Sequence, residues 1–183
     1  MNIVTMASRK GGAGKSTLTA HLAALCHQAG HRTIVIDADP QGSLTLWHSL
    51  RPERQPDLRS GARGIERALA MAMVEGYQWA FIDTAASMWV VAQAAIRAAT
   101  LVLIPARPGF FDLNAVRETV AAARERNEVK ITIGDRLAEC VGAERLLESH
   151  FGIEEAIVVP LSARGADATA PGAPAQRVNR VAD

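Results

Sequence analysis

The chain has 183 residues, 49% of them apolar and 21% charged, with a formal net charge of +1, which is the composition of one ordinary globular domain. So small a charge excludes a whole-surface field for nucleic acid or membrane, and 4% aromatics exclude a base-stacking platform. Two distant cysteines, Cys26 and Cys140, are neither a disulfide framework nor a CxxC pair, and no run of ~20 apolar residues occurs, so a cytoplasmic protein without a membrane partner is expected.

In chain order, residues 2–6 predict a short strand whose apolar run is cut off by Arg9 and Lys10, unlike a secretory leader. Residues 16–29 predict a helix stopped by Gly30, and 32–36 a β-branched strand closed by Asp37. A helix over 62–74 ends at Gly76, a strand over 79–82 ends in Asp83, and 90–98 predict another helix. Residues 100–104 form a strand stopped by Pro105, and 112–126 a helix opened by Asp112. Further on, 129–133 and 156–159 read as strands and 136–150 as a helix. The Ala-, Gly-, Pro- and Arg-rich residues 162–183 read as a flexible tail after a domain of residues 1–161.

Strands apolar on both faces, alternating with helices, predict an α/β fold: a parallel sheet covered by helices on both faces, in three layers. Right-handed crossovers place the C-terminal ends of such strands along one edge, where ligands bind in open α/β sheets. Lys15, Asp37, Asp39 and Asp83 all fall at that edge.

The densest motif is Ser8-Arg9-Lys10-Gly11-Gly12-Ala13-Gly14-Lys15-Ser16-Thr17, set between strand and helix. It reads as a phosphate loop. Glycines turn backbone N–H groups inward, the helix N-terminus favours negative charge, Lys15 reaches the β- and γ-phosphates, and the Ser16 hydroxyl suits Mg²⁺. The G-x-x-x-x-G-K-[ST] pattern is broken at its first position, where Arg9 stands, and Lys10 supplies a second lysine.

The K-G-G-x-G-K-[ST] form resembles the deviant phosphate loop of the ParA/MinD family of ATPases. The stretch Asp37-Ala38-Asp39-Pro40-Gln41-Gly42 is similar to the D-x-D-P-Q-G of its ParA branch, and Phe81-Ile82-Asp83-Thr84 to its Walker B and second switch segment. Pro105, Pro108, Asp112 and Leu113 match a further family run. The resemblance implies a P-loop fold and binding of ATP with Mg²⁺. Residues 10–17 (Lys10, Gly11, Gly12, Ala13, Gly14, Lys15, Ser16 and Thr17) would hold the nucleotide, and Ser16, Asp37 and Asp83 would serve the metal. Asp39 would position the attacking water, and Lys10 would reach a partner's nucleotide in an ATP-dependent homodimer. It further implies slow hydrolysis stimulated by a ParB-like protein, DNA binding without sequence preference, and plasmid or chromosome partition.

Two alternatives stay open: a related ATPase that positions another cargo, and a nucleotide-binding interaction module with little hydrolysis. The second arises because Ala85-Ala86 replace the family's usual prolines after Asp83-Thr84. The resemblance is legible over roughly residues 1–120. Beyond it, Arg124, Arg126, Lys130, Arg136 and Arg145 are DNA-contact candidates by charge alone, with a solvated helix face as the plainer reading. His27 and His31 lack metal-ligand partners in suitable spacing.

Overall fold

The computed structural model describes residues 1–106, 110–124 and 128–133. The side chains of 107–113 and of 124–133 are outside that description. Its elements, in order, are β1 (Asn2–Met6), α1 (Lys15–Gln28), β2 (Thr33–Ala38), α2 (Ser43–Ser49), β3 (Asp57–Ser60), α3 (Ile65–Val74), β4 (Trp79–Thr84), α4 (Trp89–Ala98), β5 (Leu101–Ala106), α5 (Phe110–Arg124) and β6 (Glu128–Ile133). The six strands form one sheet in the order β3-β2-β4-β1-β5-β6, and every pairing is parallel.

The two-faced apolar strands place the helices. On one face Val4, Met6, Val35 and Phe81 pack against Leu18, Ala20 and Ala23 of α1 and Leu44 of α2. On the other, Ile34, Ile36, Ala80 and Ile82 meet Ile65, Ala68, Leu69 and Ala72 of α3 and Ala95 of α4. Val102 and Ile104 continue that second face against Ile96 of α4 and Val116, Val120 and Ala123 of α5. Neighbouring strand residues such as Val35 and Ile36 thus bury on opposite faces, as the period of two requires. Alanines on α3 and α4 let these helices sit close to the sheet. Buried hydroxyls are satisfied in place: Thr5 Oγ1 donates to Ala95 O at 3.1 Å and Thr84 Oγ1 to Met6 O at 2.8 Å.

The expected three-layer α/β architecture is therefore the one found, with differences at particular points. The short α2 and the edge strand β3 were not expected. β3 (Asp57–Ser60) carries one apolar residue, follows Pro56, and lies half-exposed at the sheet edge, so no buried run marks it. β2 and β4 run past their predicted ends, because Asp37 and Asp83 are register partners in adjacent strands and so lie within the sheet rather than beyond it.

Pro105 does not stop β5, which continues to Ala106. Leu103 O accepts from Ala7 N at 3.0 Å, so Leu103 addresses β1. Pro105, two residues on, faces the same side, where β1 has already ended at the Met6–Leu103 pair; its missing N–H costs no ladder bond. α5 starts at Phe110, which places Asp112 inside the first turn rather than at its cap. The strand over 156–159, the helix over 136–150, the tail over 162–183 and the second cysteine, Cys140, lie outside the described residues.

One turn is fixed by close packing. Gly61 N donates to Asp37 O at 2.7 Å. A Cβ at Gly61 would lie 2.9 Å from Ala38 Cβ and 3.2 Å from both Ala38 Cα and Ile36 Cγ2. The turn after β3 can lie on β2 only without a side chain there. We predict that Gly61→Ala lowers unfolding stability by about 1–3 kcal/mol through this overpacking, measured by urea denaturation; an unchanged midpoint would mean the turn shifts freely.

Candidate functional site

Between β1 and α1 the chain forms a tight loop anchored at both ends. Ala7 is tied to β5, and Ser8 is buried with its Oγ accepting from Lys10 N at 3.3 Å. Gly12 (φ 70°) and Gly14 (φ 94°) adopt left-handed backbone, and a Cβ at either would meet nothing within 4 Å. Conformation, not space, demands glycine there. Gly14 caps α1 without a side-chain hydrogen bond, and the first turn of α1 carries no acidic residue. The N–H groups and positive end of α1 thus meet no acidic side chain from the helix's own first turn.

Lys15 opens α1 and is only 7% exposed, its Nζ donating to Lys10 O at 3.3 Å across the loop. Burial pushes its pKa below the ordinary lysine value, against the opposing pull of Asp83 and Asp39. Ser16 and Lys10 are half-buried and Thr17 exposed. The sequence-predicted loop residues, Lys10 to Thr17, therefore come together as one turn around the Lys15 side chain.

The three acids differ in how far they are satisfied. Asp37, buried in β2, accepts from Asp39 N at 3.2 Å on Oδ1, and from Thr45 N at 2.9 Å and Thr45 Oγ1 at 2.7 Å on Oδ2. It thereby holds the first turn of α2. Thr45 was not singled out from the sequence, and only its place in a Ser/Thr-rich stretch after the acids hints at it. Asp39 is half-buried and closes an Asx turn, its Oδ1 accepting from Gln41 N at 2.9 Å. Asp83 is fully buried, and neither carboxylate oxygen has a hydrogen-bond partner. Burial pushes its pKa up to about 6; Asp37 and Asp39 add to the rise, while the nearby Ser16 hydroxyl and Lys15 oppose it without reaching a hydrogen bond.

A groove of about 790 Å³ opens beside these acids, between Asp39 and Thr45 on one side and Met88 and Val90 at the start of α4 on the other. It flanks the phosphate loop rather than covering it. Ala85, in the turn after β4, is buried. Arg9 extends from the loop to form a cation–π contact with Trp89 at 5.2 Å and an ion pair with Glu118, neither of which spacing alone could reveal. Among the basic candidates, Arg126, Arg136 and Arg145 lie outside the described residues, as do the side chains of Arg124 and Lys130.

A strand, a glycine loop opening a helix with a buried lysine, and carboxylates at adjacent strand ends define a P-loop nucleotide-binding domain. The CobQ/CobB/MinD/ParA nucleotide binding domain model matches residues 4–154, so the chain belongs to this family; the match runs well past the stretch over which its motifs are legible by eye. It is 32% identical over 164 residues to maintenance of carboxysome distribution protein A from Gloeobacter kilaueensis, covering 81% of this chain and 71% of that one. It is 28% identical over 231 residues to the chromosome-partitioning ATPase Soj of Thermus thermophilus, covering 95% and 92%. The fold is shared with a putative plasmid partition protein from Borrelia burgdorferi solved with AMPPNP, with a TM-score of 0.65, 20% identity, and 92% and 89% coverage. No helix among the described residues is long and apolar enough to cross a membrane.

The buried carboxylate of Asp83 makes the ligand-free site sensitive to pH. Its folded pKa of about 6 stands above the ordinary 3.8. It therefore contributes stability that is complete below about pH 4 and lost as the pH rises through about 6, on the order of 3 kcal/mol in all. Asp83→Asn is expected to raise the melting temperature of the nucleotide- and metal-free protein at neutral pH, with little effect below about pH 4. Equal destabilisation at both pH values would show that Asp83 is compensated.

Proposed function

We propose that the chain is an ATP-hydrolysing molecular switch of the partition type. The observation that carries this reading is a buried Lys15 set near a buried Asp83 whose carboxylate has no hydrogen-bond partner, beside a glycine loop that opens α1. Such a site is incomplete without phosphates and a cation. A divalent cation suits it, because Mg²⁺ takes one or two carboxylates and keeps the rest of its shell as water and phosphate oxygens, and needs no all-protein cage. When bound, it would neutralise charge developing on the transferred phosphoryl group.

In this reading the N–H groups of residues 11–17 cradle the phosphates, and Lys15 pairs with the β- and γ-oxygens. Ser16 and Asp83 would hold the metal, and Asp37, a carboxylate already tied to Thr45, would support its water shell. Asp39 orients the attacking water; its Oδ2 carries no hydrogen bond among the described residues. Water attacks the γ-phosphorus, the bond to the β-bridging oxygen breaks, and ADP and phosphate are released. Lys10 reaches a second copy's nucleotide, so that ATP closes a dimer and hydrolysis opens it. The closed dimer binds DNA through phosphate contacts without sequence preference, and a ParB-like protein stimulates release.

A second reading keeps the switch and changes the cargo. It is favoured by the similarity to a protein named for carboxysome distribution. A third, nucleotide binding with little turnover, is favoured by Ala85-Ala86 in the turn after Asp83.

Lys15→Ala is expected to abolish ATP binding by calorimetry. Lys10→Ala is expected to leave ATP binding intact while preventing ATP-dependent dimerisation in light scattering. A Lys10→Ala protein that dimerises normally with ATP overturns the switch mechanism. For the third reading the discriminating measurement is phosphate release by the wild-type protein: none above background, with ATP bound, supports a binding module.

A further inference from the structure

The molecule carries a basic groove between the edge strand β3 and α3. It measures about 490 Å³ and is lined by Arg59 on β3, Arg63 in the turn before α3, and Arg67, Ala68 and Met71 on α3. Its lining holds no carboxylate. Of the two acids of this corner, Glu75 neutralises Arg59 itself, its Oε1 and Oε2 accepting from Arg59 Nη2 at 2.8 and 2.9 Å, and Glu66 lines the neighbouring groove beside Asp39. Arg59 Nη1 also donates to Ala68 O at 3.3 Å, so this arginine is a fixed wall. Arg63 and Arg67, one turn apart and exposed, have no carboxylate partner among the described residues. Two positive charges therefore stand uncompensated at one concave place, on a chain whose formal net charge is only +1.

We infer that the Arg59–Arg63–Arg67 groove receives the phosphate backbone of duplex DNA. This rests on the reading of the protein as a DNA-binding switch and gives it a surface within the described residues. Arginine forks suit phosphate oxygens, and a groove without aromatics or acids suits a backbone read without regard to sequence. Position also links the groove to the nucleotide. The turn that carries Arg63 hangs from β2 through the Gly61 N–H bond to Asp37 O, at 2.7 Å. A shift of Asp37 and Asp39 around a nucleotide would be passed to the groove through one backbone hydrogen bond. An anionic lipid surface is the competing polyanion, because α3 also exposes Met71, Met73 and Val74. Met71 closes the groove at one end, Met73 and Val74 lie beyond it on α3, and the concavity favours a strand of phosphates over a flat surface.

The test is fluorescence anisotropy of a short random-sequence duplex, titrated with the full chain in ATP and Mg²⁺ over a salt series. The variants are Arg63→Ser/Arg67→Ser and, as a charge-matched control, Arg97→Ser/Arg117→Ser. Binding of a fluorescent ATP analogue confirms that each is folded. The groove variant is expected to bind at least about tenfold more weakly, with a log–log salt slope shallower by about 2, while Arg63→Lys/Arg67→Lys keeps the wild-type slope and the control changes little. Wild-type affinity and slope in the groove variant overturn the inference and leave the switch reading standing. A wild-type protein that binds ATP but no DNA overturns both. Binding to anionic vesicles that needs Arg63 and Arg67, without DNA binding, overturns the inference in favour of a membrane surface.

Discussion

Two carboxylates in register on neighbouring strands, Asp37 on β2 and Asp83 on β4, are the constraint around which the site is built. Both are buried, and unpaired buried carboxylates are costly because water's stabilisation of the charge is lost. The fold answers the two differently. Asp37 is given three donors from the chain that follows it, so its charge is spent in shaping the segment that becomes α2. Asp83 is given none, and Lys15, itself desolvated, is the positive charge set against it. A site with one satisfied and one unsatisfied acid is stable as a scaffold and strained as a cavity.

The strain is placed where the topology can bear it. β1, β2 and β4 are central strands, each paired on both sides, and their ends cannot retreat. Several of the large fully buried side chains, Met6, Ile34, Val35, Ile36 and Ile82, lie in these three strands within two or three residues of the acids or the loop. Burial of apolar area on both faces of the sheet is what holds an uncompensated carboxylate in place, at roughly 25 cal/mol per Å² removed from water. The left-handed glycines of the loop add nothing to this core. They set the direction in which the N–H groups of α1 are presented.

The parts of the fold legible in the sequence are those whose physics is local. β1, the helix after the loop, and the central strands announce themselves by β-branched runs, glycine stops and a buried period, and the phosphate loop by its own composition. What escaped notice depends on partners far away in the chain. β3 exists because β2 offers it an edge and Gly61 lets the following turn lie flat on Ala38. Pro105 is tolerated because β1 happens to end beside it. Asp37 looks from the sequence like a strand terminator, and only the Thr45 bonds reveal it as the anchor of α2. The arginines of the β3–α3 corner are scattered at positions 59, 63 and 67, between an unforeseen strand and a helix legible from the sequence, and no charge run marks them. Their convergence follows from strand and helix packing side by side.

Arg9 shows how one departure from a motif can be compensated by another. The loop pattern wants a glycine at this position, and the relatives' turn after Asp83 is usually stiffened by prolines; this chain has an arginine at the first place and Ala85-Ala86 at the second. In the fold the two departures meet. The Arg9 guanidinium lies over Trp89, the first residue of the helix that the turn leads into, and pairs with Glu118 on α5. A turn that has lost its local stiffness is thus held from its far end by the phosphate loop itself. The hold is soft, since a cation–π contact at an exposed site contributes about 0.5–1 kcal/mol and a surface ion pair no more. A proline acts on its turn in every state of the loop, whereas this contact acts only while the loop keeps the conformation that presents Arg9. The order of the turn after Asp83 is therefore tied to the state of the phosphate loop through side chains rather than through the backbone between them.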